Sequence, residues 1–433
     1  MGRYLTILLL AVLALFGCSG QFIDPPDAAK SARVDIVNDV LRDESFAFES
    51  FVSLTLSVTP DIPDQVSARA TTPDLAIVVL RAVDEDGGLL FSGLSNDGEP
   101  VGSDILIRSS APRITIVLEG PGVESRQIVV EQPARYITVD RTIVLEKADG
   151  TTGDFTDTDA DGVPDVYDAF PIDPRLAFTR DIPTDHSLTV AFEDNYPDLG
   201  DGDYNDFIAD YWLKEYRSAD NQLVRLDGEA TALARGAGFA HEFGLVIGIP
   251  GRTGIASVTV LDPDGTEVSS TENSVAETAR FILFPRTADA FRRSGATVHM
   301  DNVSPDLPPS EGYTARFTLT IDGKFSAPRE FNTWLPFDPY LLITKQPTDT
   351  VSYDVHLIGQ QALPDSQNPE GLDGTVDDAG YPRALLVPGD WLWPVDRTHL
   401  ADVYPGFIDW CESAGAEMSD WYLFPEGTGL MPR

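Results

Sequence analysis

The sequence predicts a mainly β protein: two β-sandwich-like domains, an acidic loop that joins them, and one short helix near the C-terminus. Short apolar or alternating runs recur from residue 34 onward and are separated by turn clusters, which is the pattern of sandwich strands. The one persuasive helical spacing lies between Pro405 and a stop at Gly415. Its apolar stripe comprises Phe407, Trp410, Cys411 and Ala414. On this stripe, Cys411 is expected to be a small core residue rather than a catalytic thiol.

The chain has 433 residues, which is enough for two domains that each bury a core. Changes in composition along the chain divide it into five segments. The predicted segments are a signal peptide at 1–17, a tether at 18–33, an Ig-like N-terminal β-sandwich at 34–147, an acidic junction at 148–184 and a second β-rich domain at 185–433. The junction is rich in Asp, Gly and Pro and separates the two sets of predicted strands.

The first residues are typical of an export signal. Arg3 precedes an apolar run from Leu5 to Phe16, which is too short to span a bilayer permanently. A small residue directly before Cys18, with Leu15 three positions before it, resembles the bacterial lipobox, in which the cysteine is acylated. By the same resemblance, Ser19 favours the outer membrane. We therefore expect a lipid anchor at Cys18 and a location on the outer membrane, at its periplasmic face or at the cell surface.

The chain is strongly acidic, with 70 Asp and Glu residues against 30 Lys and Arg residues and a net charge of −40. This balance excludes nucleic acid as a partner, because a phosphate backbone needs basic residues to neutralise it. Besides the acylated cysteine there is one other, Cys411, so no intramolecular disulfide is expected. Divalent cations are the expected cross-links.

The segment from 157 to 168 has the spacing of a calcium loop. Carboxylates fall at positions 1, 3, 5, 9 and 12 of the template, Gly162 falls at position 6 and the Val163 carbonyl at position 7. The acidic residues are Asp157, Asp159, Asp161, Asp165 and Asp168. Position 12 is Asp rather than the longer Glu of an EF-hand, and no amphipathic helices flank the loop, so a structural Ca²⁺ site is predicted. The alternative is a solvated acidic linker.

A second acidic stretch follows the predicted strand 188–192. Asp201, Asp203 and Asn205 occupy alternate positions and can therefore point to one side, while the preceding strand delivers another acid. The predicted Ca²⁺ ligands of this second site are Glu193, Asp194, Asp201, Asp203, Asn205 and Asp206. The alternative is a long turn in which these side chains accept hydrogen bonds from backbone N–H groups.

Residues 157–425 combine motifs that resemble the LruC-domain family of bacterial lipoproteins. They include the acidic loop, which itself resembles a thrombospondin type 3 repeat, the stretch from Ala191 to Asp206, and a C-terminal signature. That signature comprises Trp391-Leu-Trp393-Pro394, Tyr404-Pro-Gly-Phe407, Trp410 and Asp420-Trp421-Tyr422. The resemblance implies an exported lipoprotein, often in the outer membrane, with no established catalytic activity.

Residues and resemblance together predict a calcium-binding outer-membrane lipoprotein that acts as a non-catalytic binding or structural module at the cell envelope or surface. Its ligand would be an extracellular protein or a glycan. The alternative is a carbohydrate-binding protein or a carbohydrate-active hydrolase with Glu193 and Asp201 or Asp206 as its carboxylate pair. Acids that share a metal stay ionised, which suits ligation better than proton donation. Four tryptophans between 391 and 421 could form a sugar-stacking face, but core packing is favoured.

Overall fold

The computed structural model describes residues 33–41, 50–62, 77–96, 98–120, 122–146, 148, 156–184, 187–293, 300–323, 337–345, 351–369, 374–378, 380–389, 391–413 and 417–432. The predicted signal peptide and Cys18 lie outside the described residues. The predicted mainly β class is confirmed, because strands form most of the regular structure in these ranges.

The N-terminal part is a sandwich of two sheets. One sheet has the order β1-β9-β3-β6, with β2 also paired to β9, and the other has the order β5-β4-β7-β8. Its strands are β1 Arg33–Val37, β2 Val40–Leu41, β3 Phe51–Asp61, β4 Ile77–Val83, β5 Leu89–Asn96, β6 Val101–Arg108, β7 Arg113–Glu119, β8 Arg126–Glu131 and β9 Tyr136–Val144. Leu54 and Ile105 of the first sheet pack with Leu80 and Ile116 of the second in one buried core. The two layers therefore enclose a shared interior.

The C-terminal part is built on one large antiparallel sheet of ten strands. Its order is β20-β19-β14-β18-β13-β12-β11-β21, with β10 also paired to β12 and β15 to β14, while β16 and β17 pair separately. The strands are β10 Phe178–Ile182, β11 Leu188–Phe192, β12 Phe207–Arg217, β13 Leu223–Ala234, β14 Ala240–Leu261, β15 Glu267–Phe284, β16 Phe291–Arg292, β17 Glu311–Gly312, β18 Thr314–Ile321, β19 Asp338–Thr344, β20 Tyr353–His356 and β21 Ala384–Pro388. Strand β10 joins this sheet although it falls within the predicted acidic junction.

Strict alternation explains which face of the sheet is buried. Along β18, Ala315, Phe317, Leu319 and Ile321 are buried, and the intervening polar residues are half-buried or exposed. These apolar side chains belong to the largest core cluster of the described residues. The same cluster includes Phe51 of the N-terminal sandwich, so the two parts pack against each other.

Two short helices lie near the C-terminus, α1 Leu400–Val403 and α2 Gly406–Glu412. The predicted helix corresponds to α2, for which Pro405 is the residue before the first turn, and its predicted end at Gly415 lies outside the described residues. Helix α1 adds a turn that the sequence analysis did not predict. In the described residues, no helix has the length and apolar character needed to cross a membrane.

The C-terminal tryptophans are core residues. Trp391, Trp393, Trp410 and Trp421 are at most 3% exposed and pack in one cluster with Phe407. Buried indole rings cannot present a face to a sugar, so the structure excludes the stacking-face alternative and confirms core packing. Cys411 is half-buried beside this cluster, as expected for a small core residue.

Candidate metal sites and the adjoining cavity

The first acidic cluster lies in the loop that follows residue 156. One carboxylate oxygen from each of Asp157, Asp159 and Asp161 lies within 4.8 Å of the other two. The loop turns back on itself through left-handed backbone at Ala160 (φ 63°) and Gly162 (φ 101°). Gly162, at position 6 of the calcium-loop template, thus adopts a left-handed conformation that glycine accommodates without steric strain.

Hydrogen bonds inside the loop orient these acids. Asp157 accepts from the backbone N–H groups of Ala160 (2.8 Å) and Gly162 (3.0 Å), and Asp161 accepts from that of Val163 (2.8 Å). Each bond uses one oxygen lone pair and leaves others for a cation. Backbone N–H groups of the loop therefore hold the three carboxylates together although their negative charges repel one another.

Asp168 is close enough to the three acids for their charges to affect it, whereas Asp165 hydrogen-bonds to Thr158. Burial raises the pKa of Asp168 to about 6, and the charges of the three other aspartates contribute to the rise. Asp165 instead accepts hydrogen bonds from Thr158 N (2.8 Å) and Thr158 Oγ1 (2.7 Å). The structure thus brings three of the five predicted carboxylates together, with Asp168 near enough to be affected by their charges, while Asp165 binds Thr158 instead.

Val163, whose carbonyl was predicted as a ligand, also anchors the loop. Its side chain is completely buried and packs with Ala177 and Phe178, and Leu94 of strand β5 packs against the same small cluster. Because Leu94 belongs to the N-terminal sandwich and Phe178 to the large sheet, the loop lies where the two parts meet. The conformation of the loop is therefore coupled to the contact between the N-terminal sandwich and the large sheet.

The second acidic cluster lies at the end of strand β11. One oxygen each of Glu193, Asp201 and Asp203 lies within 4.8 Å of the other two, and the first and last of these residues are buried. Glu193 Oε1 accepts a hydrogen bond from Tyr204 N (2.7 Å), and Asp203 accepts from the N–H groups of Asn205 (3.2 Å) and Arg397 (2.6 Å). The strand end and the following loop thus converge as the sequence predicted.

Burial dominates the electrostatics of this cluster. Removal from water, followed by the charge of Asp203, raises the pKa of Glu193 to about 8. Burial and then the charge of Asp201 raise the pKa of Asp203 to about 7. No cation of the protein stands among the causes that shift either group. These carboxylates are therefore poorly compensated within the chain.

Asp194 and Asp206 form a second layer behind these acids. Asp206 accepts a hydrogen bond from Asp194 N (2.7 Å), and Asp194 Oδ2 lies 2.8 Å from His241 Nε2. Burial, followed by the charges of Asp194 and Glu193, raises the pKa of Asp206 well above its usual value. His241 is fixed by strand β14, far away in sequence, so its contact with the acids could not be foreseen from spacing.

Asn205 does not point into the cluster. Its Nδ2 donates to the carbonyl of Pro394 (3.2 Å), and its Oδ1 lies against Gly236, where an added Cβ would come within 2.2 Å of it. Of the six predicted ligands, the structure gathers three, places two directly behind them and turns the amide away.

The donor sets fit a hard divalent cation. All gathered donors are carboxylate oxygens, which are the ligands that Ca²⁺ prefers. Asp159 Oδ2, Asp168 Oδ2 and Glu193 Oε2 are buried and receive no hydrogen bond from the residues that the structure describes. Buried charged oxygens are normally paired or coordinate metals. Both clusters therefore have the chemistry of cation sites, the first at a domain contact and the second inside the large domain.

Comparisons with known proteins match part of the chain to one family model. Residues 221–422 match the model of a domain of unknown function, DUF4842. No curated protein matches the chain. A presumptive lipoprotein from Bacteroides ovatus, of known crystal structure, is similar with 12% identity and a TM-score of 0.47, over 84% of this chain and 97% of that one. A structure of carbohydrate-binding modules of the β-sandwich superfamily gives 13% identity and a TM-score of 0.14, over 69% of this chain and 96% of that one.

Proposed function

We propose that this protein is a calcium-stabilised lipoprotein, anchored through Cys18 in the outer membrane, and that it acts as a non-catalytic binding or structural module at the cell envelope. Membership of the LruC-domain family and the thrombospondin-like character of its loop belong to the same proposal. The support for export and anchoring is the signal-like run before Cys18.

The observation that carries the calcium part is the pair of carboxylate clusters with too few protein cations. In the loop, three aspartates converge and their charges contribute to the raised pKa of Asp168, while Asp159 Oδ2 and Asp168 Oδ2 are buried without hydrogen bonds from the described residues. In the second cluster, the pKa of Glu193 is raised to about 8 by burial and neighbouring acids. A divalent cation would neutralise the charge in both places and supply the missing partner.

The direct test is calorimetric titration of metal-stripped protein with CaCl₂. We expect two classes of site, because one cluster is half-exposed and the other is buried. Glu193→Gln should remove the buried class, and Asp159→Asn with Asp161→Asn should remove the loop class. Asp173→Asn, at an acid paired with Arg175 (2.9 Å), is the matched control and should leave both. Absence of calcium binding by the wild-type protein would refute the proposal.

The anchor is tested separately. Cys18→Ser, which removes the acylated thiol, should release the protein from membranes into the soluble periplasmic fraction and abolish incorporation of labelled palmitate. Retention of the variant in the membrane fraction would contradict a lipid anchor at this residue. The non-catalytic assignment is tested with methyl glycosides, since release of methanol during incubation would reveal a hydrolase.

A further inference from the structure

The large sheet has an exposed edge, whose residues belong neither to the acidic clusters nor to the cavity of about 150 Å³ beside the second of them. From Ser269 to Ala276, strand β15 pairs with β14 in an uninterrupted antiparallel register. Strand β14 pairs with β18 on its other side, and β15 pairs with no further strand among those that the structure describes. The outward backbone groups of this edge segment, Ser269–Ala276, are therefore free to pair with another strand.

The edge segment lacks the devices that usually block an exposed strand. Its sequence, Ser-Ser-Thr-Glu-Asn-Ser-Val-Ala, contains no proline and no lysine, and its pairing with β14 has no bulge between the two ends. Val275 is half-buried and the other residues of the segment are exposed. Eight residues exceed the usual strand length of about five or six. The segment is therefore long enough to serve as the template for an added strand.

The charges along this edge are negative. Glu272 lies within the edge segment and Glu267 precedes it on β15, and both side chains are exposed. They pair with Ser257 and Leu261, which are four residues apart on β14, so the two acids point to the same face of the sheet. Neither acid forms an ion pair with the residues that the structure describes. The edge thus presents two acids at a defined spacing beside unpaired backbone groups.

Charge decides which kind of strand fits the edge. A second copy of the chain would bring the same acids and a net charge of −40, and like charges facing each other across strands oppose pairing. Arg280 and Arg292, which follow on the chain, pair with other acids at 2.5–2.7 Å and so do not neutralise the edge. A strand that carries lysine or arginine supplies the opposite charge. The edge therefore favours a basic partner over a second copy.

We propose that the edge segment binds an extended, basic segment of another protein, which adds to the large sheet as a further strand. The backbone of the partner pairs with Ser269–Ala276 and supplies the affinity, while its basic side chains lie opposite Glu267 and Glu272 and supply the selectivity. This inference deepens the proposed binding role, on which it rests, and names the kind of partner. It involves no ligand of either proposed calcium site.

The test uses the full chain and the peptide acetyl-Lys-Thr-Val-Thr-Lys-Thr-Val-Thr-Lys-amide, whose lysines share one face of a strand at the spacing of the two acids. Fluorescence anisotropy of the labelled peptide at about 0.15 M salt measures its affinity, and hydrogen exchange locates its site. We expect the peptide to slow exchange within Ser269–Ala276 at least tenfold. Because the whole chain is acidic, this local protection distinguishes strand addition from general attraction of a basic peptide.

Matched controls separate the backbone from the charge. The same peptide with all of its amides N-methylated keeps the lysines but cannot donate to the ladder, so it should bind at least tenfold more weakly. Glu267→Lys with Glu272→Lys should weaken binding of the unmodified peptide at least tenfold, because like charges then face each other. Glu99→Lys with Glu417→Lys makes the same change at two exposed acids outside the large sheet and should bind as the wild type does.

Calcium titration of the same samples separates this inference from the calcium proposal. Glu267→Lys with Glu272→Lys should keep its calcium binding and its melting temperature, and loss of either would mark a folding defect. The charge is then tested on the wild type with a peptide that has glutamate in place of each lysine, which should not bind. Absence of binding by the lysine peptide, equal binding by the N-methylated or glutamate peptide, or protection outside Ser269–Ala276 would overturn strand addition, even if calcium binds as proposed. Protection of the edge segment that grows with protein concentration alone would assign the edge to a second copy instead.

Discussion

Two buried acidic regions of the large domain differ in whether the chain supplies a cation. At the ends of strands β19 and β20, His356 lies between two aspartates, with Nδ1 2.7 Å from Asp338 and Nε2 3.0 Å from Asp354. At the end of strand β11, Glu193 and Asp203 converge, and among the described residues only backbone N–H groups donate hydrogen bonds to these two carboxylates. Arg383 is close enough to be affected by the charge of Glu193, but its guanidinium donates to the carbonyl of Asp198 instead. Both regions are buried, so solvent screens neither of them.

The pKa values of Asp354 and His356 follow this difference, whereas burial keeps the pKa of Asp338 above its usual value although His356 opposes the rise. Burial by itself would raise the pKa of Asp354, but hydrogen bonds from His356 and from the Leu363 N–H hold it below its usual range. Burial lowers the pKa of His356, yet its two aspartates raise it to about 9. Glu193, which lacks such a partner, has its pKa raised to about 8 by burial and then by Asp203.

A third acid completes the comparison. Glu215 is buried between Arg180 and Arg217, each 2.7 Å away, and these cations hold its pKa below the usual range although burial opposes them. The chain therefore compensates its buried acids where they serve structure. The two clusters left without a cation are those that the sequence marked as calcium sites, and this contrast is the main physical argument for bound ions.

The largest expected effect is a calcium-dependent response to pH at Glu193. Its folded pKa of about 8 exceeds its ordinary value of 4.5, so in chelator the folded protein holds a proton that the unfolded chain releases between these values. The stability that this group contributes is full below pH 4.5 and falls as pH rises towards 8. A tenfold change in proton affinity corresponds to about 1.4 kcal/mol, so the loss is on the order of 5 kcal/mol.

Urea unfolding at pH 5, 6.5 and 8 measures this loss. Calcium should restore the stability at pH 8, because it binds the ionised carboxylates. Glu193→Gln should flatten the pH dependence in chelator, while Asp198→Asn, at an exposed acid paired with Lys345 (2.8 Å), should not alter it. Equal stability of the wild-type protein with and without calcium at pH 8 would contradict the comparison.

The next largest effect on stability is expected where His356 compensates Asp338 and Asp354. His356→Gln removes the cation between Asp338 and Asp354, and breaking a buried ion pair costs roughly 3–5 kcal/mol. The wild-type contribution of His356 is full below pH 6.5 and is lost as pH rises through about 9, so the variant should lack this pH dependence.

The response to calcium should distinguish the region around His356 from the region around Glu193. Denaturant unfolding should show the same loss in His356→Gln with calcium and with chelator, since the chain and not an ion compensates these aspartates. His399→Gln is the matched substitution at a half-buried histidine, which accepts one hydrogen bond from Ala401 N (3.1 Å), and it should cost less. Rescue of His356→Gln by calcium would show that the two regions do not differ as described.

The fold was predictable where hydrophobicity alternates and was missed where side chains are small or the chain bends. From Leu226 onward, strand β13 alternates between buried and half-buried positions, but its buried residues include Gly228, Ala230 and Ala232, which carry little hydrophobic signal. Gly228 leaves room for the Phe317 ring of the neighbouring strand. Pro250 and Gly251 interrupt the apolar pattern of strand β14 and favour a break there, yet a shift of register between Ile249 and Thr253 lets the strand continue.

The candidate sites were likewise predictable only in part, according to how close their residues lie in sequence. The acidic loop could be predicted because its five acids lie within twelve residues, so that spacing brings Asp157, Asp159 and Asp161 together, although Asp165 binds Thr158 instead. The partners of the second cluster could not, since His241 and Arg383 reach it from strands that are distant in sequence. The orientation of Asn205 also depends on a distant residue, Pro394, and alternation alone wrongly pointed its side chain towards the acids.

The smallest effect is expected at the loop itself. Asp159→Asn with Asp161→Asn keeps acceptors for the backbone N–H groups of the loop but removes two charges that would bind the ion. With free calcium at ten to a hundred times its Kd, the variant should lose about 1.4–2.7 kcal/mol relative to the wild type. In chelator it should match or exceed the wild-type stability, because fewer like charges then repel each other. Thermal unfolding in both conditions measures the difference, and an equal loss in chelator would mean that the aspartates stabilise the loop through hydrogen bonds alone.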